Sequence, residues 1–132
     1  MNTSNFLVCA TGFFFVLYGV AFTFFPVEMS SLVTGASPST SSGIIDLRAT
    51  YGGMSIAMGV TILMLGVDSD LVSLGLLVTA VVLLAMAGAR TLGIILDGTP
   101  NPIMYIYLAA ELSFAGLALY MRGRVDQGSG NA

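Results

Sequence analysis

Four long apolar runs, 6–25, 44–67, 71–96 and 103–121, dominate this 132-residue sequence. A helix rises about 1.5 Å per residue, so about 20 residues cross a hydrocarbon core of about 30 Å. Each run has about that length and is continuous, without the period-two alternation of barrel strands. Only 8% of the residues are charged and 56% are hydrophobic, whereas soluble domains carry about a quarter charged residues. Such a chain cannot cover a water-facing surface. The expectation is an all-α integral membrane protein: a single-domain four-helix bundle, antiparallel, with short loops.

The breaks between the runs carry their own signals. Pro26 closes the first run, which is rich in aromatics. That run lacks the basic start, short apolar region and cleavage site of a signal peptide, so it is expected to be a retained helix. In the longest connection, Met29, Leu32, Val33 and Ala36 recur at helical spacing, with Glu28, Ser30, Ser31 and Thr34 opposite. This predicts a short interfacial helix between spans one and two. Residues 37–43 then read as a polar loop. Asp68-Ser69-Asp70 and the segment 97–102 make tight turns, and 122–132 reads as a polar, disordered tail.

Several function classes fall away on composition. There is no lysine, no histidine and no basic cluster, and the formal charge is −3, so nucleic-acid binding has no electrostatic footprint. Cys9 is the single cysteine, which rules out an intramolecular disulfide and a thiolate metal site. It reads as a packed small hydrophobe. No metal-ligand set and no nucleophile–base pair is visible, so the sequence leans away from an enzyme and calls for no cofactor. The partner it requires is the lipid bilayer, with a homo-oligomer or a larger membrane complex as further candidates.

The few charges are informative by depth. Four spans put both termini on one side, and Arg122 and Arg124 just past the last span assign that side to the cytoplasm by the positive-inside rule. Arg48 then lies roughly 7 Å below the outer end of span two, Arg90 roughly 10 Å below that of span three, and Glu111 roughly 13 Å below that of span four. An arginine at a helix centre costs roughly 2.5–3.5 kcal/mol. The cheapest arrangement turns all three inward, with Glu111 between Arg48 and Arg90. Asp46 and Asp97 are placed to answer the outer guanidinium donors, and Thr50, Tyr51 and Tyr107 to supply hydroxyls. Snorkelling of the arginines to the interface is the competing arrangement. Ala49, Gly53 and Ala57 on span two, and Ala85, Ala89 and Gly93 on span three, recur every four residues. Small residues at this spacing let helix backbones approach in lipid, and both stripes are expected to face neighbouring helices.

At these residues the chain resembles a known family. Asp46-Leu47-Arg48-Ala49-Thr50-Tyr51-Gly52-Gly53, Ala89-Arg90 with Gly93, Asp97-Gly98-Thr99-Pro100 and Glu111-Leu112-Ser113-Phe114-Ala115 look like the signature of a small membrane family catalogued as domain of unknown function 4345. The resemblance spans nearly the whole chain. It implies a bacterial four-helix membrane protein of the cytoplasmic (inner) membrane, with polar positions at Arg48, Arg90, Asp97 and Glu111. It brings no activity, substrate or cofactor.

Two function classes remain open. One is a non-catalytic accessory or binding module, whose charge cluster fixes the bundle or holds a polar headgroup at Arg48, Arg90, Asp97, Glu111, Asp46 and Tyr51. The other is an oligomeric small-solute or proton-coupled transporter or channel that uses Glu111. A dry, fully paired cluster favours the first; an aqueous path to Glu111 favours the second.

Overall fold

The computed structural model describes residues 2–129. Five helices follow one another: α1 (Thr3–Phe24), α2 (Pro26–Thr34), α3 (Ser41–Val67), α4 (Val72–Asp97) and α5 (Pro102–Ser129). Among the described residues there is no strand. All except α2 are long and apolar enough to cross a membrane.

Local chemistry sets the boundaries. Pro26 opens α2 at a first-turn position, where its missing N–H leaves nothing unsatisfied. Gly35 ends α2 in the left-handed region at φ 77°, its N–H donating to the Ser31 carbonyl at 3.0 Å. α3 begins at Ser41, ahead of its apolar run, because Thr40 caps it: Thr40 Oγ1 accepts the Gly43 N–H at 3.2 Å. Within α3, Arg48–Gly53 winds as a π-helix. The polar end of the chain departs from expectation. Residues 122–129 continue α5 as helix, held by an Arg122–Asp126 pair at 3.7 Å and by Ser73 Oγ donating to Asp126 at 2.6 Å. The remainder of the expected tail, 130–132, lies outside the described residues.

The core follows a coiled-coil spacing of alternating three and four residues. On α1 the seam is Asn5, Val8, Gly12, Phe15, Gly19 and Phe22, all buried. On α4 it includes Leu76, Ala80, Leu83 and Ala87, and on α5 Ala115 and Ala118. α1 packs principally on α3, and α4 on α5.

The α1–α3 seam corrects the expected small-residue faces. Ala49, Gly53 and Ala57 are exposed, as are Ala85 and Ala89 on α4. The residues that meet α1 are instead Gly52, Gly59 and Gly66, spaced by seven. A Cβ on Gly19 would stand 2.7 Å from the Gly52 carbonyl oxygen, and one on Gly66 2.8 Å from Cys9 Sγ. These backbones are in contact, so no side chain fits between them.

Each end of this helix pair is closed by a side chain from the opposite helix. A helix leaves its last four carbonyls without intrahelical partners, and these carry partial negative charge. Buried Asn5, in the first turn of α1, donates from Nδ2 to the Gly66 carbonyl near the end of α3 at 2.9 Å. Arg48 of α3 donates from Nη1 to the Thr23 carbonyl near the end of α1. Asn101 does the same for α2, donating to the Val33 carbonyl at 3.0 Å while its Oδ1 accepts the Met104 N–H at 3.2 Å.

Candidate functional site: an ion pair between two spans

Arg90 and Glu111 lie on the seams of their helices. Arg90 follows Leu83 and Ala87 on α4, and Glu111 precedes Ala115 and Ala118 on α5. The spacing that buries those apolar residues therefore points both charges at the α4–α5 contact. They meet as a fork. Arg90 Nε donates to Glu111 Oε2 at 3.1 Å and Nη2 to Oε1 at 2.6 Å. The two side chains retain 16% and 7% of their exposure, so the pair is withdrawn from its surroundings on both sides.

The guanidinium has two further partners. Nη1 donates to Met104 Sδ at 2.9 Å, and the Tyr107 ring lies 5.2 Å from the guanidinium carbon. Both partners come from α5, as Glu111 does. A single helix thus supplies the anion, a soft acceptor and an aromatic face to one arginine. Parallel N–H···O bonds fix geometry as well as charge, and the π-face of tyrosine attracts the cation.

Around this pair stand two further tyrosines. Tyr18 of α1 is close enough to interact electrostatically with Arg90, Glu111, Tyr107 and Tyr51. Its ring is 4.8 Å from Phe22, which stacks on Tyr51 of α3 at 5.1 Å. Phe14 extends the row from the other side, 6.2 Å from Tyr18. An aromatic ladder therefore runs along α1 and crosses to α3 beside the charges.

The expected three-residue cluster is corrected to two. Arg48 is exposed and turned to the Thr23 carbonyl, not to Glu111. Its place on α3 supplies the reason: Arg48 lies one helical turn before Gly52, on the row that packs against α1. The oxygen it meets belongs to a helix C-terminus, which favours a cation. Asp46 and Asp97 are exposed, and no hydrogen bond or ion pair joins their carboxylates to Arg90 among the described residues. Thr50 bonds back to the Asp46 carbonyl at 2.6 Å, within its own helix. Tyr107 lies beside Arg90 but offers its ring face, not the expected hydroxyl, and Tyr51 lies at the edge of the site through the aromatic ladder.

Tyr18 and Met104 were not foreseen. Met104 and Glu111 are seven residues apart on one helix, so the seam spacing did carry a signal for methionine. Tyr18 lies beside the α1 seam, where aromatics are too frequent to single one out.

Four membrane-length helices, two of them clasped by a buried and doubly hydrogen-bonded ion pair, define a small multi-pass membrane protein. The chain belongs to the family described as domain of unknown function DUF4345, whose model matches residues 3–121. No curated protein and no solved structure matches it.

Proposed function

We propose that this protein is a non-catalytic membrane module, an accessory or binding component of the bacterial inner membrane, in which Arg90 and Glu111 lock α4 to α5. One observation carries the proposal: each carboxylate oxygen of Glu111 accepts a hydrogen bond from Arg90, whose Nη1 also donates to Met104 and whose guanidinium lies by the Tyr107 ring. A proton or ion taken up by Glu111 would have to weaken the charge-assisted fork that holds α4 to α5.

The outward faces of the helices support an association role. Between 17% and 39% of each span's most apolar window is buried within the chain, so most of each helix is left for lipid or for a neighbouring protein. Arg122 and Arg124 in the last turns of α5 support cytoplasmic termini, and in that orientation the clasp would lie in the non-cytoplasmic half. The test is reconstitution of Glu111→Gln and wild type in vesicles under a pH gradient. The proposal expects no wild-type proton flux above that of empty vesicles and a lowered melting temperature for the variant. A wild-type flux that Glu111→Gln abolishes while melting is unchanged would replace this proposal with the transporter.

A further inference from the structure

The seam between α1 and α5 is loosely packed. α1 gives its main contact to α3 and α5 gives its to α4, so the two meet only lightly. Between the first turns of α1 and the last turns of α5 this leaves a groove of about 890 Å³. Buried Leu7 lies along it beside the exposed side chains of Phe6, Phe114, Leu117 and Tyr120. At its open end the lining changes character, to Asn2, Thr3, Ser4 and Arg124.

The dimensions and charge select an occupant. From Phe114 to Arg124 the groove runs about ten residues along α5, or about 15 Å, which is half of a hydrocarbon core of about 30 Å. Its α5 wall is thus one leaflet long, and α1 lines the part nearest the mouth, from Asn2 to Leu7. The Arg124 guanidinium lies 4.9 Å from the Tyr120 ring centroid and has no ion-pair partner among the described residues. Tyr120 thus fixes a cation at the polar mouth without neutralising it. Asn2 accepts no capping duty from the first turn of α1, whose N–H groups face the same end. An apolar slot of leaflet length that ends in an unpaired arginine and three small polar side chains fits one acyl chain below one phosphate.

We propose that this groove holds an anionic phospholipid of the leaflet on the side of the chain termini, its phosphate on Arg124 and its acyl chain along Leu7 and Leu117. Arg124 and Leu117 are exposed, so variants at these two positions leave the core packing intact. The test is native mass spectrometry of the full chain, delipidated in detergent and titrated with phosphatidylglycerol or phosphatidylcholine. Wild type should retain one phosphatidylglycerol per chain in preference to phosphatidylcholine. Arg124→Gln should weaken that binding about fivefold, the worth of one basic residue at an anionic surface, and Arg122→Gln should weaken it less. Leu117→Trp, which fills the slot, should lower retention of both lipids. Equal retention of the two lipids, phosphatidylglycerol binding unaffected by both Arg124→Gln and Leu117→Trp, or a lipid-free oligomer whose interface covers the groove would each overturn the proposal.

Discussion

Gly12 and Gly59 each occupy the space that a side chain on the other would need. A Cβ on Gly12 would stand 2.8 Å from the Gly59 carbonyl oxygen, and one on Gly59 would stand 2.6 Å from the Gly12 carbonyl oxygen. The obstacles are backbone atoms, which cannot swing aside as a side-chain tip does. Gly12→Ala or Gly59→Ala should therefore push α1 and α3 apart, at the cost of about 1–3 kcal/mol typical of overpacking. Gly53→Leu and Gly88→Ala, at exposed positions, should leave the melting temperature in detergent nearly unchanged. Equal losses at Gly53 and Gly59 would mean that α3 presents a different face to α1.

The crossed closure of α1 and α3 gives a second expectation. Asn5→Leu keeps the branching of the side chain but strands the Gly66 carbonyl in a buried place, and an unsatisfied buried acceptor costs about 1–3 kcal/mol. Thr79→Val should act in the opposite direction. Thr79 is fully buried and its hydroxyl has no hydrogen-bond partner among the described residues, so a valine of similar shape removes a polar group that gains nothing from burial. Thermal melts in one detergent should rank Thr79→Val at or above wild type and Asn5→Leu below it.

Orientation is checked by labelling. In a Cys9→Ser background, single cysteines at Ser41 and Ser69, both exposed, report on opposite ends of α3. With cytoplasmic termini, an impermeant maleimide added to whole cells should reach Ser41→Cys and not Ser69→Cys. Labelling of Ser69→Cys alone would invert the bundle.

What was legible in the sequence was whatever a uniform helix preserves. Four apolar runs of membrane length gave four long helices, and depth counted along regular spans brought Arg90 and Glu111 to one level. Direction around the helix was another matter. Arg48 lies one turn before Gly52, and only the packing of Gly52 on α1 shows that it points to Thr23 and not to Glu111. The four-residue stripes of Ala49, Gly53 and Ala57 drew attention away from the seven-residue row of Gly52, Gly59 and Gly66. A seam of spacing three and four, applied to all four spans, puts Gly12 and Gly19 on the same face as Phe15 and Phe22. It also places Arg90 and Glu111 on their seams. The helical end of α5 was missed because its support is remote: Ser73 on α4 meets Asp126.

The arrangement also separates Arg48 from the clasp energetically. Arg48 and Glu111 share no hydrogen-bond partner, and effects at independent sites add to within about 0.5 kcal/mol. Arg48→Gln combined with Glu111→Gln should cost the sum of the two single changes in chemical unfolding. A shortfall well beyond that margin would restore Arg48 to the cluster.

The most direct test of the clasp is the double-mutant cycle of Arg90→Gln and Glu111→Gln, followed by reversible unfolding in mixed micelles. Removing one member of a buried pair strands the other and costs about 3–5 kcal/mol. Removing both strands neither, so the double variant should lose much less than the sum, with a coupling of about 1–3 kcal/mol. Strictly additive losses would contradict the clasp between α4 and α5.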